Sequence, residues 1–240
     1  MTLAVDWLLA YFVTFARIGA MVSLVPAFGE MALPARVRLA VALAFTAIVA
    51  PTVPPLPFTI ALIPIEAANG LFFGILLRLF VHALETAGTI IAQSTSLSQI
   101  FGGVSGADPQ PVIGHILVWA GLTFAVINGL HIELTAYMIH SYTIVPMGEI
   151  ASPQLVTEAG IAQIAHCFAL AFTLSAPFVV GAFIYNVTLG VINRAMPQLM
   201  VFFVGAPAIT AGGMMLLMLA APLLLGIWWD NLSGFVMDPR

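Results

Sequence analysis

The sequence predicts an all-α protein that crosses a membrane several times, with about six long, kinked hydrophobic helices arranged as hairpins. Of its 240 residues, 62% are hydrophobic and only 7% are charged, whereas soluble domains carry about 25% charged residues. Four stretches contain no Asp, Glu, Lys or Arg, and each exceeds the roughly 20 residues that a membrane-spanning helix needs. These stretches are 39–65, 109–132, 159–193 and 195–229.

Proline-rich breaks separate the first three predicted helices. The first is predicted over 5–25 and ends where the Pro-containing segment 26–34 begins. The second is predicted over 36–50, and four prolines within 51–57 end it. The third is predicted over 59–98, which makes it 40 residues long.

The three remaining helices follow the clearest loop of the chain, the Gly- and Pro-rich run 102–111. The fourth helix is predicted over 111–142, because the next prolines lie in 146–153. The last two helices are predicted over 157–196 and 199–231, with Pro197 between them. No soluble domain fits between these segments.

Two of these helices are too long for a simple span, and three of the predicted helices carry polar stripes. A helix of 40 residues is about 60 Å long, whereas the hydrocarbon core is about 30 Å thick. Polar residues at three- and four-residue steps share one helix face, and such faces meet protein or water in membranes. We therefore predict polar seams for subunit packing at Arg78, His82, Glu85, Asn128, His131, Asn186, Asn193 and Arg194.

Several charges lie in or beside apolar segments, where an unpaired charge costs a few kcal/mol. Each is therefore expected to have a partner, and structural ion pairs are favoured over a proton or substrate path. The residues are Arg17, Glu66, Arg78, Glu85 and Glu133. Arg78 and Glu85 are too far apart along one helix to pair with each other. The loop arginines Arg36, Arg38 and Arg194 predict that their loops are cytoplasmic.

The composition excludes several function classes. The net charge is −4 and no basic run is present, so no nucleic-acid binding is predicted. Cys167 is the single cysteine, and no paired Cys/His spacing indicates a metal. A Gly-x-Ser-Gly run at 103–106 resembles the serine motif of rhomboid proteases, but residues 107–111 place Ser105 in a loop. We predict no catalytic residue, no metal-binding residue and no cofactor, and therefore no enzyme.

Four motifs, in order, make the chain resemble the FliR family of flagellar export proteins. The first is Arg-Val-Arg-Leu-Ala at 36–40, and the second is Thr-Ala-Gly at 86–88, followed by Gln93. The third is Asn-Gly-Leu-His at 128–131, and the fourth is Asn-Arg-Ala-Met-Pro-Gln-Leu at 193–199. Their order and spacing extend the resemblance over nearly the whole chain.

This resemblance implies a non-enzymatic subunit of the flagellar type III export gate in the bacterial inner membrane, within the flagellar basal body. FliR-like chains assemble with FliP-like and FliQ-like subunits, work with FlhB-like and FlhA-like export proteins, and pass unfolded flagellar proteins. Within the single domain 1–240, residues 1–156 would be FliP-like and 157–240 a FliQ-like hairpin. The alternatives are a small secondary transporter or ion channel, and a virulence-type injectisome paralogue.

The resemblance also implies a channel plug at the third predicted break. In the family, the equivalent loop plugs the closed channel, and apolar tips on glycine hinges suit that role. The residues are Gln99, Ile100, Phe101, Gly102, Gly103, Val104, Ser105 and Gly106. The alternative for this segment is an ordinary turn between two helices.

Overall fold

The structure, a computed structural model, describes residues 2–54, 56–96, 112–196 and 201–237, and these ranges contain helices and connections without any β-strand. The predicted all-α membrane fold is therefore confirmed. The helices are α1 Thr2–Val22, α2 Ala35–Val49, α3 Leu62–Ser94, α4 Val112–Ile127, α5 Leu130–Ile144, α6 Pro153–Ala195 and α7 Val201–Met237. A single 3-10 turn, Ala50–Thr52, follows α2.

The fourth predicted helix is in fact two helices, so the prediction of one helix over 111–142 is wrong. α4 and α5 meet at an angle of 81°. Between them, Gly129 adopts φ 91° and ψ 25°, a left-handed conformation that glycine enters without steric cost. Asn128 and Gly129 form a turn-favouring pair, but they lie within a charge-free apolar run that resembles an uninterrupted span.

Three helix ends differ from the predicted bounds by four residues or more. α6 begins four residues early, because Ser152 Oγ accepts a hydrogen bond of 3.2 Å from the Leu155 N–H and Pro153 is the first helical residue. α3 ends at Ser94, and Ser96 has a positive φ of 59°. α7 continues to Met237, which keeps Leu232 and other apolar residues buried beyond position 231.

Among the described residues, four helical segments are long and apolar enough to cross a membrane, and the bent α4–α5 pair would be a fifth if it forms one span. They are Ala35–Thr52, Leu62–Ser94, Pro153–Ala195 and Pro207–Met237. The most apolar stretch of α3 is 56% buried inside the protein, whereas that of α7 is only 22% buried. The chain is thus a multi-pass membrane protein whose last helix leaves most of its surface for lipid or other chains.

The chain divides into two compact units. The first unit contains residues up to 81, residues 122–165 and residues from 231 onward, and the second contains 82–121 and 166–230. In the first unit, α1 and α3 approach closely at Gly70, where a Cβ atom would overlap the carbonyl of Arg17. Gly70 and Gly74, one helical turn apart, thus allow close contact between these helices.

In the second unit, glycines and one tryptophan sit where helices touch. A Cβ at Gly88 of α3 would overlap the Cα of Gly114 in α4. A Cβ at Gly121 would lie 2.5 Å from Leu84 Cδ1 and 3.4 Å from the ring of Trp228, which is fully buried. The helices of this unit are thus held by close apolar contact.

Candidate functional site

The most completely buried polar group of the first unit is an ion pair between α1 and α3. Arg17 Nε donates to Glu66 Oε2 at 2.6 Å, and Arg17 Nη2 donates to Glu66 Oε1 at 3.2 Å. Neither side chain is exposed. Two parallel hydrogen bonds of this kind form the strongest arginine–carboxylate geometry. The expectation that these two intramembrane charges have partners is confirmed, and they are each other's partners.

The pair also holds the end of α5. Arg17 Nη1 donates to the carbonyl of Ser141 at 3.2 Å and to that of Val145 at 2.8 Å. The Tyr142 ring lies against the guanidinium, 3.9 Å from its carbon to the ring centroid. Cations at a helix C-terminus stabilise its unpaired carbonyls. We use the name charge clamp for Arg17, Glu66 and the two carbonyls to which Arg17 Nη1 donates.

The connection that follows α5 is tied to α3 as well. The Gly148 N–H donates to Glu66 Oε1 at 2.9 Å. One turn along α3, Asn69 Nδ2 donates to the carbonyl of Glu149 at 2.7 Å, and Asn69 Oδ1 accepts from the Ala151 N–H at 3.1 Å. The charge clamp thus fixes the path of the chain from α5 into α6. Because it is closed to solvent, it has a structural role.

Arg78, a predicted seam residue, forms an ion pair within the first unit. Its Nη1 donates to Glu30 Oε1 at 2.6 Å, and the two side chains are 24% and 13% exposed. Glu30 lies in the connection between α1 and α2, so the pair fastens that connection to α3. As expected from their spacing, Arg78 and Glu85 do not pair with each other.

His82 and Glu85 form a hydrogen-bonded pair in the second unit. His82 Nδ1 lies 2.7 Å from Glu85 Oε2, and the side chains are 51% and 25% exposed. The imidazole and the carboxylate share one face of α3, three residues apart. This pair, unlike the charge clamp, is open at the surface of its unit.

The seam predicted on the fourth helix is interrupted by the α4–α5 bend. Asn128 lies in the turn, where its Nδ2 donates to the carbonyl of Phe124 at 2.7 Å, and His131 lies in the first turn of α5. Both side chains are exposed. Asn128 and His131 therefore do not share one straight helix face, because the helix axis turns between them.

The seam on α6 lies on a continuous helix. Asn186 is exposed and its Nδ2 donates to the carbonyl of Ala182 at 2.8 Å. Asn193 is half-exposed and Arg194 is exposed in the last turn of α6. Within the part of the chain that the structure describes, no salt bridge involves Arg194.

Glu133 differs from the other intramembrane charges. One of its carboxylate oxygens, Oε2, is enclosed by protein but has no hydrogen-bond partner among the described residues. The expectation of a partner is therefore not met within this part of the chain. His131 and Glu133 do not form a metal site, and the described ranges contain no cluster of three or more His, Cys, Asp or Glu residues suited to a metal ion.

Comparison with known proteins identifies the family. The family model for bacterial export proteins, family 1, matches residues 8–234. The chain belongs to this family. The flagellar biosynthetic protein FliR of Caulobacter vibrioides is 34% identical over 226 residues, which are 90% of each chain. FliR of Pectobacterium carotovorum is 30% identical over 92% of this chain and 87% of its own, and FliR of Escherichia coli is 28% identical over 91% and 87%.

The resemblance to the FliR family that the four motifs indicate is thereby confirmed. Family membership and the apolar helices together define a multi-pass membrane protein of the flagellar export family. Residues 99–106, for which a plug is predicted, lie outside the residues that the structure describes, so that role stays a prediction.

Arg17 and Glu66 could be identified from the sequence as charges that need partners, but the groups to which they bind could not. Arg17 and Glu66 are conspicuous because they interrupt apolar segments, yet they are 49 positions apart. Asn69 and the carbonyls of Ser141 and Val145 carry no comparable signal. A charged residue in an apolar helix indicates that a partner exists, whereas the partner is chosen by the packing of α1, α3 and α5.

Proposed function

We propose that this chain is a core subunit of the flagellar type III export gate. With FliP-like and FliQ-like subunits, it forms the channel that passes unfolded flagellar proteins across the bacterial inner membrane, in the flagellar basal body. FlhB-like and FlhA-like proteins are further partners. Support comes from membership of the bacterial export family and from relatives that are flagellar biosynthetic proteins.

The observation that carries this proposal is α6. At 43 residues it is about 64 Å long at about 1.5 Å per residue, roughly twice the thickness of the hydrocarbon core. Its distal half displays Asn186, Asn193 and Arg194 at the surface of its unit. Amide groups exposed on an apolar helix are costly in lipid, so neighbouring protein is their expected environment.

The apolar surface of the last two helices points to the same conclusion. The side chains of Phe168, Phe172 and Phe183 on α6 are more than half exposed, and so is that of Met218 on α7. A hairpin with so little internal burial is suited to stacking between neighbours. This supports the proposal that 157–240 is a FliQ-like hairpin.

The α6 seam is tested by purification from flagellated cells in mild detergent, with the co-purifying proteins identified. We expect FliP- and FliQ-like subunits to co-purify with the chain. The double variant Asn186→Leu/Asn193→Leu should reduce their recovery several-fold, because each hydrogen bond between membrane helices is worth about 0.6–2 kcal/mol.

Thr188→Leu is the matched control. Thr188 is exposed on the same helix and its hydroxyl is already bonded to the carbonyl of Ile184. It points about 200° away from Asn186. Recovery should be unchanged for this variant. A chain that purifies as a stable monomer and transports a solute alone would instead support a secondary transporter or channel.

The proposed plug has a separate test. Deletion of residues 100–106 should leave assembly intact and raise the ion conductance of the assembled gate, because the constriction would be lost. Conductance equal to that of the intact protein would reject the plug while leaving the subunit assignment in place.

A further inference from the structure

The first unit has an open groove between α1 and α2. Its volume is about 310 Å³. Its walls are apolar or small, formed on one side by Phe15, Gly19 and Val22 of α1 and on the other by Leu39 and Ala42 of α2. Arg38, in the first turn of α2, is the one charged residue that lines it. The groove thus combines a long apolar wall with one cation at an end.

Arg38, the cation of this groove, forms no salt bridge with any of the described residues. Arg38 Nε is enclosed by protein and makes no hydrogen bond there. Arg17 and Arg78, by contrast, are each held by a carboxylate. An enclosed guanidinium N–H without an acceptor is costly, so a shift of the Arg38 side chain toward an anionic oxygen in the groove would relieve that cost.

The start of α2 favours an anion at the same place. The helix begins after Pro34, which provides no side-chain hydrogen bond to its first turn. Free N–H groups and the helix dipole attract negative charge at such an end. Arg36, which is exposed, adds a second positive charge nearby. Geometry and electrostatics therefore coincide at one end of an apolar groove.

We propose that this groove binds one anionic phospholipid, with its phosphate at Arg38 and an acyl chain between α1 and α2. A guanidinium binds phosphate oxygens in a bidentate manner, and an apolar groove suits a hydrocarbon chain. Basic pockets between membrane helices are known to bind anionic lipid head groups. The positive-inside prediction puts Arg38 at the cytoplasmic leaflet, where anionic lipids are enriched.

A lipid fits this site better than an acidic segment of another protein. Arg38 is the one charged residue of the groove, and the hydroxyl of Ser23, the other polar lining residue, already donates to the Ala20 carbonyl. The remaining walls are apolar and match a molecule with one anionic head and an uninterrupted apolar tail. A polypeptide would bring backbone N–H and carbonyl groups that these walls cannot hydrogen-bond. The inference does not depend on which export subunits assemble with the chain.

The test of the head group uses native mass spectrometry of the complex purified in mild detergent, with phosphatidylglycerol and phosphatidylcholine added in equal amounts. We expect one retained phosphatidylglycerol, and about tenfold lower retention after Arg38→Gln, because a charge-assisted hydrogen bond is lost. Arg38→Lys should restore part of it. Arg36→Gln, which removes the same charge from an exposed neighbour, should retain the lipid.

The head-group proposal is overturned by equal loss in the Arg36→Gln and Arg38→Gln variants, which would indicate general attraction only. It is also overturned if both lipids are retained equally. If Arg38→Gln lowers recovery of a protein partner and leaves phosphatidylglycerol unchanged, the groove is a protein interface and the lipid assignment is wrong.

The position of the acyl chain is tested on the α1 wall of the groove, which includes Gly19. A Cβ at Gly19 would lie 3.5 Å from the Phe15 ring, an ordinary contact, so Gly19→Leu should fold while filling the groove. We expect this variant to lose the retained lipid although Arg38 is intact. An unchanged thermal unfolding midpoint verifies folding. Retention of the lipid by the folded variant would contradict the proposal.

Discussion

The two units hold their helices together by different chemistry. In the first unit, α1, α3 and the end of α5 meet at the charge clamp, where Arg17 and Glu66 are fully buried. In the second unit, Gly88 meets Gly114 and a buried Trp228 packs nearby. The His82–Glu85 pair of the second unit remains partly exposed. The first unit thus contains a fully buried ion pair, whereas the His82–Glu85 pair lies at the surface of its unit.

This difference separates structural polar groups from those available to other molecules. A buried pair with every hydrogen bond satisfied has no capacity left for a ligand or a subunit. Polar groups displayed on apolar helices, such as Asn186, retain that capacity. A polar residue within a membrane helix is therefore not by itself a sign of transport. Its role depends on whether its hydrogen bonds are already made within the chain.

The largest effect is expected from breaking the charge clamp. Arg17→Leu leaves Glu66 as an uncompensated buried charge, which should lower the free energy of unfolding by about 3–5 kcal/mol. The measurement is thermal unfolding of the purified complex, followed by tryptophan fluorescence. The double variant Arg17→Leu/Glu66→Leu should recover part of the loss, because no buried charge remains. A loss below about 1 kcal/mol for the single variant would contradict the structural role.

A smaller effect is expected from separating α3 and α4 in the second unit. Gly88→Ala would force a Cβ into the backbone of Gly114, and overpacking of this kind costs about 1–3 kcal/mol. Gly181→Ala is the control, because a Cβ there meets nothing within 4 Å and should stabilise α6 by about 0.5–1 kcal/mol. Equal unfolding midpoints for both variants would show that close helix contact does not hold this unit.

The smallest effect on stability is expected at the exposed pair. His82→Ala should change the free energy of unfolding by less than about 1 kcal/mol, since exposed ion pairs contribute little. If the α3 seam is a subunit contact, the same variant should nevertheless reduce recovery of partner subunits from cells. A destabilisation as large as that of Arg17→Leu would remove the distinction between the two units.

The helices were predictable from composition and breaks, but their ends were less so. Apolar runs without charges predict spans directly. Pro26, Pro34 and Pro146 do lie between helices, whereas Pro153 is the first residue of α6. The bend at Gly129 escaped prediction because a turn signal of two residues was outweighed by the apolar run around it. The continuation of α7 past Asp230 depends on burial of Leu232 and Val236, which sequence spacing does not reveal.

The candidate sites also divide into those that helical spacing predicts and those that depend on helix packing. The predicted seam on α6 could be read from helical spacing, because spacing alone determines which residues share a face. The groove at Arg38 could not be predicted, because it exists only where α1 and α2 lie side by side. Arg78 was predicted as a seam residue, yet its partner Glu30 comes from a connection whose path sequence does not specify.

The sequence by itself determined that this is a helical membrane protein and that it belongs with flagellar export proteins. These properties follow from composition and local order, which act through solvent preference and short-range spacing. Only the tertiary structure decided which charges neutralise each other and which stay exposed. Pairing across 49 positions depends on how whole helices pack, because a hydrogen bond requires atoms within about 3 Å whatever their distance along the chain.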